Sequence, residues 1–506
     1  MADILFGQSY YLGFDPKLWE AMQPYPPLGT MYAASLMRQH GFDVALFNAM
    51  LAESEAEWAQ ALDREKPRFA VLYEDNFNYL SKMCLSRMRD SAFVMLKAAK
   101  QRGCLTIVCG ADASDHPTDY LAQGADFILR GEGEMTLLDL TQKLGGKADA
   151  PLSEIPGLAY MNGEQLTVTA PRPVIRDADS LPFPAWDLVD VEGYRRVWRE
   201  RHGYYSMNMV TTRGCPYHCN WCAKPFWGQG YVSRSPENVV EEMKWLKEAY
   251  HPDHLWFADD IMGLKPGWWE RFADLVEAHD ARIPFKCLSR ADLILRQATS
   301  VSALRRAGCE IVWIGAESGS QKILDAMEKG IIVEQIAAAT QRLRQGGIRV
   351  GFFLQFGYPG ETRTDIEATL QLVRDCAPDD IGMSVSYPLP GTRFYDNVRQ
   401  QLGAKQNWID SADLDMLHAG PFAAEFYRYL YTVLHKEFRA NQTWRKILDK
   451  QRVSLRRMTA MLYHRISLPA ARRKLDRLSR IPQRRLEPLP QAMPHEKAAT
   501  PTAQED

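Results

Sequence analysis

Thr212-Arg213-Gly214-Cys215-Pro216-Tyr217-His218-Cys219-Asn220-Trp221-Cys222 carries three cysteines spaced C-x3-C-x2-C, with an aromatic residue directly before the last. Three thiolates on one tight loop can hold three irons of a cubane cluster and leave the fourth iron open. Clusters that only carry electrons usually saturate all four irons with cysteine. The missing fourth ligand therefore points to a cluster that binds a substrate or cofactor at iron. Zinc is the competing reading. It is tetrahedral and normally takes a fourth Cys or His, and His218 lies inside the loop.

The elements that must position this loop read as two sets of alternating strands and helices. In the first 145 residues, apolar β-rich runs fall at Ile4–Phe6, Val44–Phe47, Phe69–Tyr73, Leu105–Cys109 and Phe127–Leu129, with helical stretches between them. Five buried strands separated by helices predict a doubly wound parallel sheet, whose ligands bind beyond the C-terminal strand ends. Residues 151–200 are rich in Pro and Gly and read as a packed linker, with a hairpin around Asn162-Gly163. The alternation returns at Ser206–Val210, Leu255–Phe257, Phe285–Leu288, Ile311–Ile314, Val350–Phe356 and Ile381–Ser386. Six βα units suit an open, partial barrel with chemistry at the C-terminal strand ends. The cysteine loop follows the first of these strands. Domain boundaries are expected at 1–150, 151–200, 201–400 and 401–481, the last helical with a basic segment. Residues 482–506, rich in Pro, Gln and Ala, read as a disordered tail.

Composition bounds the function. The 506 residues are 46% apolar and 25% charged, with a formal net charge of −2. No apolar run approaches the roughly 20 residues that span a bilayer, and Met1-Ala2-Asp3 opens no signal pattern. Nine cysteines, scattered outside the triad, exclude a secreted disulfide framework and suggest a reduced, cytoplasmic setting. Charge is uneven. From Arg445 to Arg485 there are fourteen Lys/Arg against Asp449 and Asp476, a local +12 that leaves −14 on the remainder. With few aromatics and no RNA-binding module, this segment does not read as a nucleic-acid site. Packing on the acidic body and peripheral membrane contact are the two readings left open.

The cysteine loop with its preceding strand resembles the radical S-adenosylmethionine (SAM) superfamily, and the resemblance extends over roughly residues 1–440. It implies a [4Fe-4S] cluster on Cys215, Cys219 and Cys222 that cleaves SAM reductively and yields a radical able to take hydrogen from an unactivated carbon. Counterparts of the family's strand-end motifs follow the later strands: Asp259-Asp260, Arg290, Gly315-Ala316-Glu317-Ser318-Gly319 and Gly357-Tyr358-Pro359-Gly360-Glu361-Thr362. Trp221, Asp259, Arg290, Glu317 and Ser318 are thereby candidates for holding SAM. The plain alternatives are a salt-bridged strand-end acid for Glu317 and a core aromatic for Trp221.

The N-terminal half resembles the cobalamin-binding domain of one branch of that superfamily, through Tyr25-Pro26-Pro27-Leu28-Gly29, Val108-Cys109-Gly110-Ala111-Asp112 and the stretch from Ala125 to Glu134. Gly29, Gly110, Gly131 and Glu132 are the implied cobalamin contacts; turn geometry alone is the alternative for the glycines. The cobalt-ligating D-x-H-x-x-G string is absent, and His116 sits in Asp115-His116-Pro117, outside such a loop. Asn407-Trp408-Ile409-Asp410-Ser411 and Glu425-Phe426-Tyr427 resemble the anaerobic magnesium-protoporphyrin monomethyl ester cyclases and related methyltransferases. The implied activity is cobalamin-dependent C-methylation of a small molecule, with electrons from a flavodoxin- or ferredoxin-type donor. Radical cyclisation or rearrangement is the second reading. A non-catalytic cobalamin- or redox-responsive binding protein is the third.

Overall fold

Apolar runs such as Phe69–Tyr73 become strands because both of their faces are covered, as in parallel sheets flanked by helices; all five of those residues are buried. A computed structural model describes residues 2–83, 85–147, 149–222, 227, 230–297 and 299–481, so the expected tail at 482–506 and Cys84 lie outside the described residues. The first sheet contains β1 (Ile4–Gly7), β2 (Val44–Leu46), β3 (Phe69–Tyr73), β4 (Leu105–Cys109), β5 (Phe127–Leu129), β6 (Leu158–Asn162) and β7 (Gln165–Val168). Its order is β2-β1-β3-β4-β5-β6-β7. The first five strands are parallel, as expected. The hairpin β6–β7 is a difference. Its sequence lies in the stretch read as a linker, yet β6 pairs antiparallel with β5, Leu129 facing Leu158, and makes the sheet mixed. Strand order reverses between β1 and β3, which opens a crevice at their C-terminal ends.

The second sheet runs β8 (Ser206–Met209), β11 (His254–Phe257), β12 (Phe285–Ser289), β13 (Cys309–Glu317), β14 (Arg349–Phe356) and β15 (Asp380–Val385), all parallel and in chain order. This is the expected half-barrel. Phe285, Cys287 and Ser289 are buried on one face of β12, while Lys286 and Leu288 on the other are only half-buried. With six strands the curled face is left open, so residues pointing into it keep some exposure. A two-stranded ribbon, β9 (Thr212–Arg213) with β10 (Val232–Ser233), brackets the cysteine loop.

One apolar core runs from the helix Leu28–Gln39 into the half-barrel. Residues 24–27 lie on the first barrel strand: Tyr25 Oη is 2.9 Å from Ser206 Oγ, and Asn208 Nδ2 donates to the Pro26 carbonyl at 3.0 Å. The described residues close with two long helices, Ala424–Leu448 and Leu455–Leu478. Glu437 on the first accepts from Arg374 Nε at 2.6 Å and from Arg472 Nη2 of the second at 2.8 Å.

Candidate functional site

Gly214 opens the cysteine loop at φ +76°, and a Cβ there would lie 2.5 Å from the Gly230 carbonyl oxygen, so only glycine fits this turn. Downstream, Asn220 ties the loop to the end of the helix Gln321–Ala326 and to the turn after β14. Its amide donates to Met327 O (3.1 Å), its Nδ2 to Ala326 O (2.9 Å), and its Oδ1 accepts from Tyr358 Oη (3.0 Å). Cys215, Cys219 and Cys222 are all partly exposed, and none forms a disulfide with another described residue. Among the described residues no three His, Cys, Asp or Glu side chains gather at metal-ligand distances. The thiols are neighbours on one loop, and metal binding must draw them together by displacing protons. Burial pushes the Cys222 thiol up to about 12, with Asp260, Cys219 and Cys215 adding to the rise. Three thiolates beside a carboxylate call for a cation, which suits a bound iron cluster. His218 is exposed.

Basic and aromatic groups close around the loop. The Arg290 guanidinium lies 3.6 Å over the Tyr217 ring, and its Nη1 donates to Cys219 Sγ at 3.9 Å. Glu317 ends β13 at φ +56°, next to a register shift between Gly315 and Glu317. A glutamate rarely takes that conformation, and the strain here aims its carboxylate across Gly315. A Cβ at 315 would sit 2.6 Å from both Glu317 Oε1 and Lys329 Nζ. Lys329 donates to Glu317 at 2.8 Å with both side chains buried, and stands 5.9 Å from the Trp221 ring. Burial lowers the Lys329 pKa, but Glu317 outweighs it and the ammonium is held charged. Trp221 joins a small cluster with Ile323, Met327, Tyr358 and Phe394, and its buried Nε1 has no hydrogen-bond partner among the described residues.

Asp259 and Ser318 are committed within the protein. Asp259 accepts from the amides of Thr211 and Thr212 and from the Thr211 hydroxyl, at 2.7–2.8 Å. Burial pushes its carboxyl up to about 6 despite those bonds. Ser318 Oγ, fully buried, accepts from Ser320 N and meets Thr369 Oγ1 at 3.1 Å. Both hold the loops on which Trp221, Arg290 and Glu317 stand.

The N-terminal sheet brings its own crevice. Ser9 follows β1, Glu74 follows β3 and Asp112 follows β4; with Leu85, Met88 and Tyr120 they line a cleft of about 290 Å³, open solvent included. Both Glu74 oxygens accept from the Ser9 amide, and burial pushes the acid up to about 7. Three buried atoms on the loops after β1 and β3 have no partner among the described residues: Gln8 Oε1, Asn76 Oδ1 and Ser81 Oγ. Unpaired buried polar groups are costly, and these suit a ligand rimmed with amides, as a corrin is. The predicted glycines have nearer tasks. The Gly29 amide donates to Asp75 Oδ1 at 3.0 Å, a Cβ at Gly110 would strike Glu74 at 2.9 Å, and Gly131 turns at φ +72°.

Glu132 does not face the cleft. With Glu134 it grips Arg213, the residue two before Cys215, at 3.0 and 2.8 Å, all three buried. Burial opposes the Arg213 charge, but Glu134 and Glu132 outweigh it and raise the pKa. Tyr32, Phe77 and Trp227 surround the guanidinium at 5.1–5.6 Å. Lys82, after β3, pairs with Asp260, after β11, at 3.0 Å. Tyr79 is 42% exposed, yet burial raises its hydroxyl pKa, and Tyr387, Cys222 and Glu317 add to the rise. Both facts suit a ring facing an internal space. The C-terminal strand ends of the two sheets thus open toward each other. Lys82, Tyr79 and Lys329 lie in no motif of the sequence; only the rule that chemistry sits at strand ends singles out their loops.

Residues 209–373 match the model of the radical SAM superfamily. The hopanoid C-3 methylase of Methylococcus capsulatus is 25% identical over 84% of this chain and 79% of its own length. The anaerobic magnesium-protoporphyrin IX monomethyl ester cyclase of Synechocystis is 28% identical over 64% of this chain and 63% of its own. The fold is like that of the cobalamin-dependent SAM radical enzyme OxsB, solved with aqua-cobalamin and SAM bound, with a TM-score of 0.68 over 93% of this chain and 72% of that one at 16% identity. Residues 209–373 are a radical SAM domain, and the chain is an enzyme.

Proposed function

We propose that the enzyme methylates an unactivated carbon of a small molecule, using a [4Fe-4S] cluster, SAM and cobalamin. Support comes from the methylase among its relatives and from OxsB's fold and bound cofactors. The observation that carries the reading is the junction. Glu132 and Glu134 hold Arg213, and Lys82 holds Asp260, so loops at the C-terminal strand ends of the two sheets are fastened to each other. Methyl transfer needs its donor and the radical's target side by side; a separate carrier domain would not require such buried clamps.

When bound, the cluster supplies the electron that cleaves SAM and cobalamin supplies the methyl group. In this reading Cys215, Cys219 and Cys222 ligate the cluster, and Asn220 fixes their loop. Trp221, Arg290 and the Glu317–Lys329 pair receive SAM, the ion pair meeting a zwitterion with one charge of each sign. Asp259 and Ser318 act by positioning. Gly29, Gly110 and Gly131 shape the cobalamin cleft, while Glu132 joins it to the barrel. A small electron-transfer protein of flavodoxin or ferredoxin type supplies electrons, and the setting is the reduced cytoplasm. No described helix is long and apolar enough to cross a membrane. Peripheral membrane contact rests on a separate surface.

The test is anaerobic turnover of reconstituted enzyme with SAM, cobalamin and reductant. The expected result is 5′-deoxyadenosine together with S-adenosylhomocysteine, and a product heavier by one methyl group. 5′-Deoxyadenosine with an unmethylated product would indicate cyclisation or rearrangement instead.

A further inference from the structure

The last two helices among the described residues carry a surface that the cofactor reading leaves unused. Leu455–Leu478 packs on its neighbour through Met461, Ala471, Leu475 and Leu478, all buried. At about 100° per residue these four share one side, and Leu455, Leu462 and Ile466 lie on the opposite side. They are 76%, 53% and 80% exposed, with Met458 beside them. A surface helix normally carries one apolar stripe and turns a polar face to water; the first half of this helix turns an apolar row to water instead. The patch continues onto the end of the preceding helix, where Leu448 is 62% exposed and Trp444 lies under Arg465 at 4.5 Å. Arg452, Arg456, Arg457 and Arg465 are exposed around it. Beyond Pro469 the outward side turns basic with Arg473 and Arg477.

We propose that this helical hairpin docks the enzyme on an anionic phospholipid surface, its outward aliphatic row lying among the acyl chains and its arginines on the phosphates. An apolar row rimmed by Lys/Arg is the pattern of helices that lie in the membrane interface. Charge selects the occupant. Residues 445–485 carry a net +12 and the remainder −14, so an anionic bilayer attracts this end and repels the body. A second copy of the chain would bring two basic hairpins face to face. A nucleic acid would satisfy the arginines but leave Leu455, Leu462 and Ile466 in water.

Flotation of the intact, reconstituted enzyme with vesicles tests this. It should rise with vesicles of mixed phosphatidylglycerol and phosphatidylcholine, stay behind with pure phosphatidylcholine, and detach as salt is raised. Leu462→Glu with Ile466→Glu should cut partitioning about tenfold or more, while thermal midpoint and SAM cleavage in solution stay as in the parent. Arg456→Gln with Arg457→Gln should weaken binding and flatten its salt dependence. Failure to float with anionic vesicles overturns the proposal, as does undiminished binding by the double-glutamate variant. Light scattering that shows a dimer dispersed by the same variant would assign the face to a second copy. Displacement from vesicles by single-stranded RNA, with the aliphatic variants binding RNA as the parent does, would assign it to nucleic acid.

Discussion

At the scale of single residues, ligand count decides the cluster. Replacing Cys219 with Ala leaves two thiolates, too few to hold a cubane firmly, so iron content and SAM cleavage should both be lost. Cys104→Ala and Cys376→Ala, both buried away from the loop, should keep the iron. Near-normal iron in the Cys219 variant would refute the assignment. Glu317→Gln tests the SAM contact without touching a ligand. Losing one charge-assisted bond costs about 1.5–3 kcal/mol, roughly ten- to hundredfold in the dissociation constant for SAM, with iron unchanged. Lys329, invisible as a motif, should behave likewise on substitution by Met; unaltered affinity in both variants would make the pair purely structural. Motif spacing and strand ends mark the cysteines, Trp221, Arg290 and Glu317 in the sequence, and the structure gathers them around one loop. Lys329 is not marked, because its role exists only once the φ +56° turn carries Glu317 over Gly315.

At the scale of elements, the two sheets are legible because β-rich apolar runs alternate with helical ones, and the cysteine loop falls after β8 as partial barrels require. The ribbon β9–β10 escaped notice: two residues a side leave no periodicity to read. The hairpin was visible from Asn162-Gly163, but its docking on β5 depends on an open sheet edge that local sequence does not reveal. The resemblance implies a SAM contact for Asp259 and Ser318, and in the structure their bonds run to Thr211, Thr212, Ser320 and Thr369. The clamp between elements is testable. Arg213→Met strands Glu132 and Glu134 in a buried site, which typically costs about 3–5 kcal/mol. Chemical denaturation should report a loss of that order, and a loss below about 1 kcal/mol would mean that solvent reaches the clamp. Glu74 gives a pH signature. Its pKa rises from 4.5 unfolded to about 7 folded, so between those values the folded state holds a proton that the unfolded state releases. Stability is therefore highest below the unfolded value and falls as pH climbs through the window, by about 1.4 kcal/mol per unit. Relative to Glu74→Gln, the parent should lose stability from pH 5 to 8; a constant difference between the two would show that Glu74 ionises normally.

At the scale of the whole molecule, function depends on what the two sheets hold between them, and cobalamin binding can be tested apart from turnover. The intact chain should bind hydroxocobalamin with the dimethylbenzimidazole tail displaced, because the crevice where strand order reverses is where such sheets take ligands and Gln8, Asn76 and Ser81 offer unpaired polar atoms there. No imidazole should replace that tail. The chain lacks D-x-H-x-x-G, and its two N-terminal-sheet histidines are badly placed: His40 caps the far end of the helix Leu28–Gln39, while His116 Nε2 stands 3.9 Å from Asp112. Burial lowers the His116 pKa, which favours the neutral ring that ligating a metal requires. Electron paramagnetic resonance of the bound cob(II)alamin reads the answer, since a nitrogen ligand splits the cobalt lines. The expected spectrum lacks that splitting and is the same in His116→Ala. Nitrogen splitting that vanishes in His116→Ala would identify a ligand that the fold had hidden. Binding that fails altogether, in protein whose cluster and SAM cleavage are intact, would remove methyl transfer from this enzyme and leave the radical chemistry of the half-barrel standing alone.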